Sequence, residues 1–98
     1  MATTLQAFLD SIRTGEPPTA GISLLNAVWH GLRGEWDAAH QIAQEDDSPD
    51  GAWVHAWLHR IEGDHANAAY WYRRAHRPVA ANDTAAEGRE IAAFLLAS

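Results

Sequence analysis

The sequence predicts an all-α domain of antiparallel helical hairpins, and three observations carry that prediction. First, Gly34-Glu35-Trp36-Asp37-Ala38-Ala39 is echoed 29 residues later by Gly63-Asp64-His65-Ala66-Asn67-Ala68, and the alignment puts Ala27, His30, Leu32, Gly34 and Ala39 on Ala56, His59, Ile61, Gly63 and Ala68. A fixed period of this size marks stacked hairpins, each burying its apolar face only against its neighbours. Second, apolar residues recur at helical spacing in six segments separated by turn residues. Third, no segment shows the two-residue alternation of a half-buried strand.

Leu5, Phe8, Leu9 and Ile12 lie at i, i+3, i+4 and i+7 behind Thr3 or Thr4 as N-cap, which predicts a first helix over residues 4 to 13. Thr14 to Gly21 holds two prolines and two glycines and reads as the longest linker. Ile22, Leu25, Val28, Trp29 and Leu32 resume the stripe in helix 2, which Gly34 stops. Helix 3 is short, with Trp36, Ala39, Ile42 and Ala43 inside and Asp37, Gln41 and Gln44 outside. After the acidic turn Glu45-Asp46-Asp47, Ser48-Pro49-Asp50 opens helix 4. Serine is the cap, proline takes the first position where its missing N–H is harmless, and a carboxylate faces the positive end of the dipole. Helix 4 runs to Glu62, and Gly63-Asp64 turns the chain. Helix 5 then carries Ala68, Trp71, Tyr72 and Ala75 until Pro78. Thr84-Ala85-Ala86-Glu87 has the form of a capping box and opens helix 6, with Ile91, Ala92 and Leu95 on one face.

Ninety-eight residues suit one domain. It comprises hairpins of about residues 21–49 and 50–78, flanked by an N-terminal helix and a C-terminal capping helix. The absence of cysteine excludes disulfides, thiolate metal sites and a cysteine nucleophile. The first residues lack the basic start and apolar run of a signal peptide, and no stretch approaches the ~20 apolar residues of a membrane span, so a soluble cytoplasmic protein is expected. A net charge of -6 argues against a nucleic-acid partner, since phosphate binding draws on Lys and Arg. All seven basic residues are Arg, and with 20 Ala this composition points to a GC-rich, bacterial genome. Five Trp and six His are the chemically informative side chains.

The string from Gly63 to Ala75 resembles the second half of a tetratricopeptide repeat, in which Gly63, Ala68, Tyr72 and Ala75 match the Gly-Asp turn, Ala, aromatic and Ala positions. Ala69-Tyr70-Trp71-Tyr72-Arg73-Arg74-Ala75 is closer to the Sel1-like variant, and Gly34, Ala39 and Ala43 follow the same frame. The resemblance spans about residues 21 to 78. The chain departs from the family where Ser23 and Ala52 replace a large residue, where His30 and His59 replace the usual Tyr, and in its shorter repeat. The Tyr70 to Pro78 stretch is also similar to small uncharacterised bacterial proteins. The family implies a short solenoid that binds protein segments or associates with itself, usually without catalysis or cofactor.

In that frame the first helices of the repeats line a concave face displaying Trp53, Trp57 and Arg60 with Leu24 and Val28. This is a groove for a protein or peptide segment or for a second copy in a homodimer. Equally, Trp53 and Trp57 read as core residues packed on helix 1 or helix 6. A rival from another class starts from His55, His59 and Glu62 on one face of helix 4. With His30 or His40 from the preceding hairpin they would hold a divalent metal, as a metal-binding protein or metal-dependent enzyme. The structural alternative is a set of buried histidines satisfied by hydrogen bonds. Arg73, Arg74 and Arg77, with His76, form a basic group suited to an anion, or to cationic capping of a helix C-terminus. A small-molecule pocket between helices 2, 4 and 5 is a third reading. No nucleophile elbow, phosphate loop or zinc-finger spacing is present.

Overall fold

A computed structural model describes residues 4–16 and 23–97. The described residues form six α-helices and no strand: α1 (Leu5–Thr14), α2 (Ser23–Leu32), α3 (Trp36–Ala43), α4 (Pro49–Ile61), α5 (His65–Arg74) and α6 (Thr84–Ala97). The expected caps explain most boundaries. Thr4 Oγ1 accepts from Ala7 N at 3.0 Å, and Ser48 Oγ accepts from Gly51 N at 3.1 Å with Pro49 behind it. The linker residues 17–21, Ile22 and the alternative cap Thr3 lie outside the described residues.

The two glycine turns are built alike. Gly34 and Gly63 have φ of 80° and 84°, Glu35 N and Asp64 N each donate 2.9 Å back to His30 O and His59 O, and both glycine amides reach the carbonyl three residues earlier at 3.1 Å. Positive φ is what demands glycine here, because nothing lies within 4 Å of a Cβ at either position. A third corner follows α5, where His76 takes φ 60° and Arg77 N donates to Tyr72 O at 3.0 Å.

Two hairpins result, α2 with α3 and α4 with α5, and they contact each other through α4. Helix α4 is the central element: every residue from Gly51 to His59 is buried, so it has no solvent face over two turns. Helix α6 returns across α2 and α4 and also meets α1. Its close approach depends on small residues, because a Cβ on Gly31 of α2 or Gly88 of α6 would lie 2.6 Å from the Trp57 ring. Helix α6 also corrects one expectation. Thr84 is its first residue rather than its cap, and Ala85 N and Glu87 N reach back to Asp83. Glu87 does not close a capping box; its carboxylate points inward and is 1% exposed.

Candidate metal centre

Helices α3 and α5 both pack on α4, and between them the chain gathers three histidines. His55 and His59 project from successive turns of α4, and His40 comes from the middle of α3. The ligand nitrogens of the three lie within 4.8 Å of one another. His40 Nε2 and His55 Nε2 are 3.0 Å apart, a contact in which one ring N–H donates to the other ring's lone pair. His59 Nδ1 lies 2.6 Å from Glu62 Oε1, so its N–H donates to the carboxylate. Such an outer carboxylate fixes the tautomer and raises the basicity of a ligating imidazole.

Two indoles hold the rings in place. Trp36 stacks on His40 at 4.6 Å and 12°, and its Nε1 donates to Leu58 O at 2.6 Å. Trp71 stacks on His55 at 3.8 Å and 10°. His55 and His59 are buried, and His40 is half-buried. Burial, together with the neighbouring His40 and His59, lowers the pKa of His55 to about 4. Burial and His59 also lower that of His40, against the opposing pull of Glu62 and Asp37. At neutral pH these two rings are therefore uncharged, with one Nε2 proton held between them that an ion would displace.

Three imidazoles without thiolate suit zinc, nickel, copper or cobalt rather than magnesium or calcium. A tetrahedral centre with metal–nitrogen bonds of about 2.0–2.1 Å needs nitrogens ~3.3–3.4 Å apart. The His40–His55 separation of 3.0 Å is a few tenths of an ångström short of that, and the three ligand atoms all lie within 4.8 Å. His59, Glu62 and Asp64 form a second ligand group, joining the buried His59 to an exposed Glu62 and a half-buried Asp64.

The expected ligand set is thus changed in two places. His30 is not in the group: its Nδ1 pairs with Glu35 Oε1 at 2.8 Å at the turn after α2. Glu62 orients His59 instead of joining the three-histidine group.

The residues expected in the partner groove lie under α6. Trp57 is fully buried between Gly31 and Gly88, with Nε1 donating to Thr84 O at 2.7 Å, and Leu24 and Val28 are core residues. Trp53 Nε1 donates to Glu87 Oε2 at 3.1 Å. Arg60 is turned inward too: its guanidinium donates to Glu87 Oε1 at 2.5 Å and to Asn82 O. Tyr72 completes the cluster, its O–H 2.7 and 2.6 Å from the two Glu87 oxygens. Burial and Glu87 raise its pKa, so the phenol keeps its proton and donates it. Sequence reasoning missed Glu87, although it occupies the α6 stripe at i, i+4 and i+8 with Ile91 and Leu95.

Of the three arginines expected to act together, Arg73 and Arg74 share the Tyr70 ring, at 6.0 and 5.8 Å, and Arg77 stands elsewhere. Arg77 lies 3.4 Å over the Trp53 ring and 5.2 Å over Phe94. Arg74 is 5.4 Å over Trp71, on the histidine side. Compared with known proteins, the chain matches no family model, no curated protein and no solved structure. No described helix is long and apolar enough to cross a membrane.

Proposed function

We propose that this protein is a non-enzymatic binding module of divergent tetratricopeptide or Sel1-like type, and that what it binds is a divalent transition metal at His40, His55 and His59. The single observation that carries this reading is the convergence of three imidazole nitrogens within 4.8 Å, contributed by both hairpins and braced by Trp36, Trp71 and Glu62. The repeat reading draws its support from the two glycine turns, which share φ, hydrogen bonds and an adjoining His–Glu pair. The ion would bridge α3 to α4 and fasten one hairpin to the next.

Isothermal titration of tag-free protein with zinc, nickel and cobalt tests the reading. One equivalent should bind, and His40→Ala or His55→Ala should abolish saturable binding, whereas His30→Ala should leave it within a factor of two. Equal loss in His30→Ala, or no heat in the parent protein, would refute it. Ligand at 100 times its dissociation constant adds about 2.7 kcal/mol of stability. For a domain of this length that is a rise in Tm of ~10–20 °C.

A further inference from the structure

Three imidazoles fill three positions of a tetrahedral ion and leave the fourth to an outside ligand. The structure provides a place for that ligand. A cavity of about 380 Å³ lies over the first half of α4 between the C-terminal ends of α3 and α5, with Ala52 and His55 at its floor and Trp71, Arg74 and His76 along one wall. The α3 wall is Ala43 and Gln44, the turn immediately after His40, and of the three histidines it is His55, in contact with His40 at 3.0 Å, that lines the cavity. A volume of this order holds a small molecule.

The charges of the walls are unequal in availability. On the acidic side, Asp46 Oδ1 is already engaged by Ser48 N at 2.9 Å and Ser48 Oγ at 2.5 Å, and Asp47 is exposed. On the basic side, Arg74 has no carboxylate at ion-pair distance among the described residues. It is held over Trp71 and Tyr70, and its one hydrogen bond is to Tyr70 Oη at 3.3 Å. Its planar fork of donors is suited to two oxygens of a carboxylate or phosphate. Next to it His76 is kept at φ 60°, where the equivalent corners use glycine. A side chain retained in a conformation that costs ~1–3 kcal/mol is a mark of a site in which that side chain has work to do.

We infer that this cavity is a ligand site for a small oxyanion, a carboxylate or a phosphate, bound with one oxygen on the metal's fourth position and its other oxygens on Arg74 and His76. The inference rests on the three-histidine metal reading. Anion binding then requires the ion, and the ion's open position requires the anion or water.

Cobalt(II) makes both events visible, because its visible absorption reports first the imidazole ligands and then a change of the fourth ligand. The cobalt-loaded protein is titrated with acetate and, separately, with inorganic phosphate, in the parent, Arg74→Gln and Arg73→Gln. Arg73 and Arg74 are both exposed, so neither change disturbs the core. The expected result is a saturable spectral shift with at least one of the two anions, weakened about tenfold in Arg74→Gln and less than twofold in Arg73→Gln, with cobalt affinity unchanged in all three. The arm that saturates at lower concentration identifies the ligand as carboxylate or phosphate. A tetrahedral cobalt spectrum that neither anion alters, or equal weakening in the two variants, overturns the oxyanion site and leaves the metal reading standing. Failure of the parent to develop any cobalt spectrum overturns both.

Discussion

Replacing Glu87 by Gln tests the arrangement that decides which surfaces of the protein are free. Glu87 is 1% exposed and accepts from Trp53, Arg60 and Tyr72, while the Arg60 side chain is 12% exposed. Glutamine keeps the shape but removes the charge and turns one acceptor into a donor facing donors. Breaking a buried ion pair from one side costs ~3–5 kcal/mol. Arg60 retains its hydrogen bond to Asn82 O, and the glutamine oxygen still serves one donor, so the lower figure of ~3 kcal/mol is expected. Against a total of about 5–15 kcal/mol for a domain of this length, that is a large fraction, and it lowers Tm by ~12–24 °C. Urea unfolding followed by circular dichroism gives the difference directly. Glu90→Gln, one turn further on and exposed, should stay within about 0.5 kcal/mol. A loss below about 1 kcal/mol in Glu87→Gln would refute the reasoning. Helix α6 would then not be secured over α4 by this carboxylate, and Trp53 and Arg60 would be open to a docking partner after all.

The corners and the core glycines separate two uses of the same residue. Gly34→Ala should cost ~1–2 kcal/mol through its left-handed backbone and leave the near-ultraviolet spectrum of the tryptophans unchanged. Gly31→Ala should cost ~1–3 kcal/mol and alter that spectrum, because the new methyl drives against the Trp57 ring. His76→Gly should raise stability by about 0.5–1 kcal/mol in chemical denaturation, since the left-handed strain outweighs the extra freedom of the unfolded chain. Acid should weaken the metal-free protein. His55 has a folded pKa of about 4 against an ordinary value near 6.5, so the unfolded chain binds the proton first. The stability held above about pH 6.5 is lost as pH falls toward 4, at up to about 1.4 kcal/mol per unit, and His55→Gln should flatten the slope of urea midpoint against pH.

The helices were legible because their ends are written in local chemistry. Ser48-Pro49-Asp50 and the Gly34 and Gly63 turns each satisfy or release backbone groups within a few residues, so sequence spacing is enough to place them. The buried alanines of α3, Ala39 and Ala43, follow from the same periodicity, whereas α4 is buried on every side from Gly51 to His59. What lay beyond reach was which surface each helix meets. His55 and His59 were visible as a pair on one face of α4, but the third histidine depends on whether the preceding hairpin presents its first helix or its second. Spacing left His30 and His40 both open, and the alignment of His30 with His59 favoured a structural role for that pair. The structure presents the second, because α3 lies beside α4 and carries His40 to His55, while His30 pairs with Glu35.

Glu87 was obscured for a related reason. A carboxylate three residues after a threonine satisfies the local rule for a cap, and only the position of Arg60, Trp53 and Tyr72 on two other helices turns it into a buried acceptor. The tryptophans illustrate the same division. Trp57 and Trp53 were readable as groove or core, and the return of α6 across α2 and α4 puts both inside. Trp36 and Trp71, which read as ordinary buried positions of short helices, turn out to brace the histidines from either side.

The most direct test of the metal centre is the nitrogen-15 spectrum of the six imidazoles during titration with zinc. The Nε2 signals of His40, His55 and His59 should move together and stop at one equivalent, with the His59 Nδ1 proton retained on Glu62 and the His30, His65 and His76 signals unmoved. Shifts distributed over the exposed histidines without an end point, or a His40 signal that stays in place while others move, would contradict it.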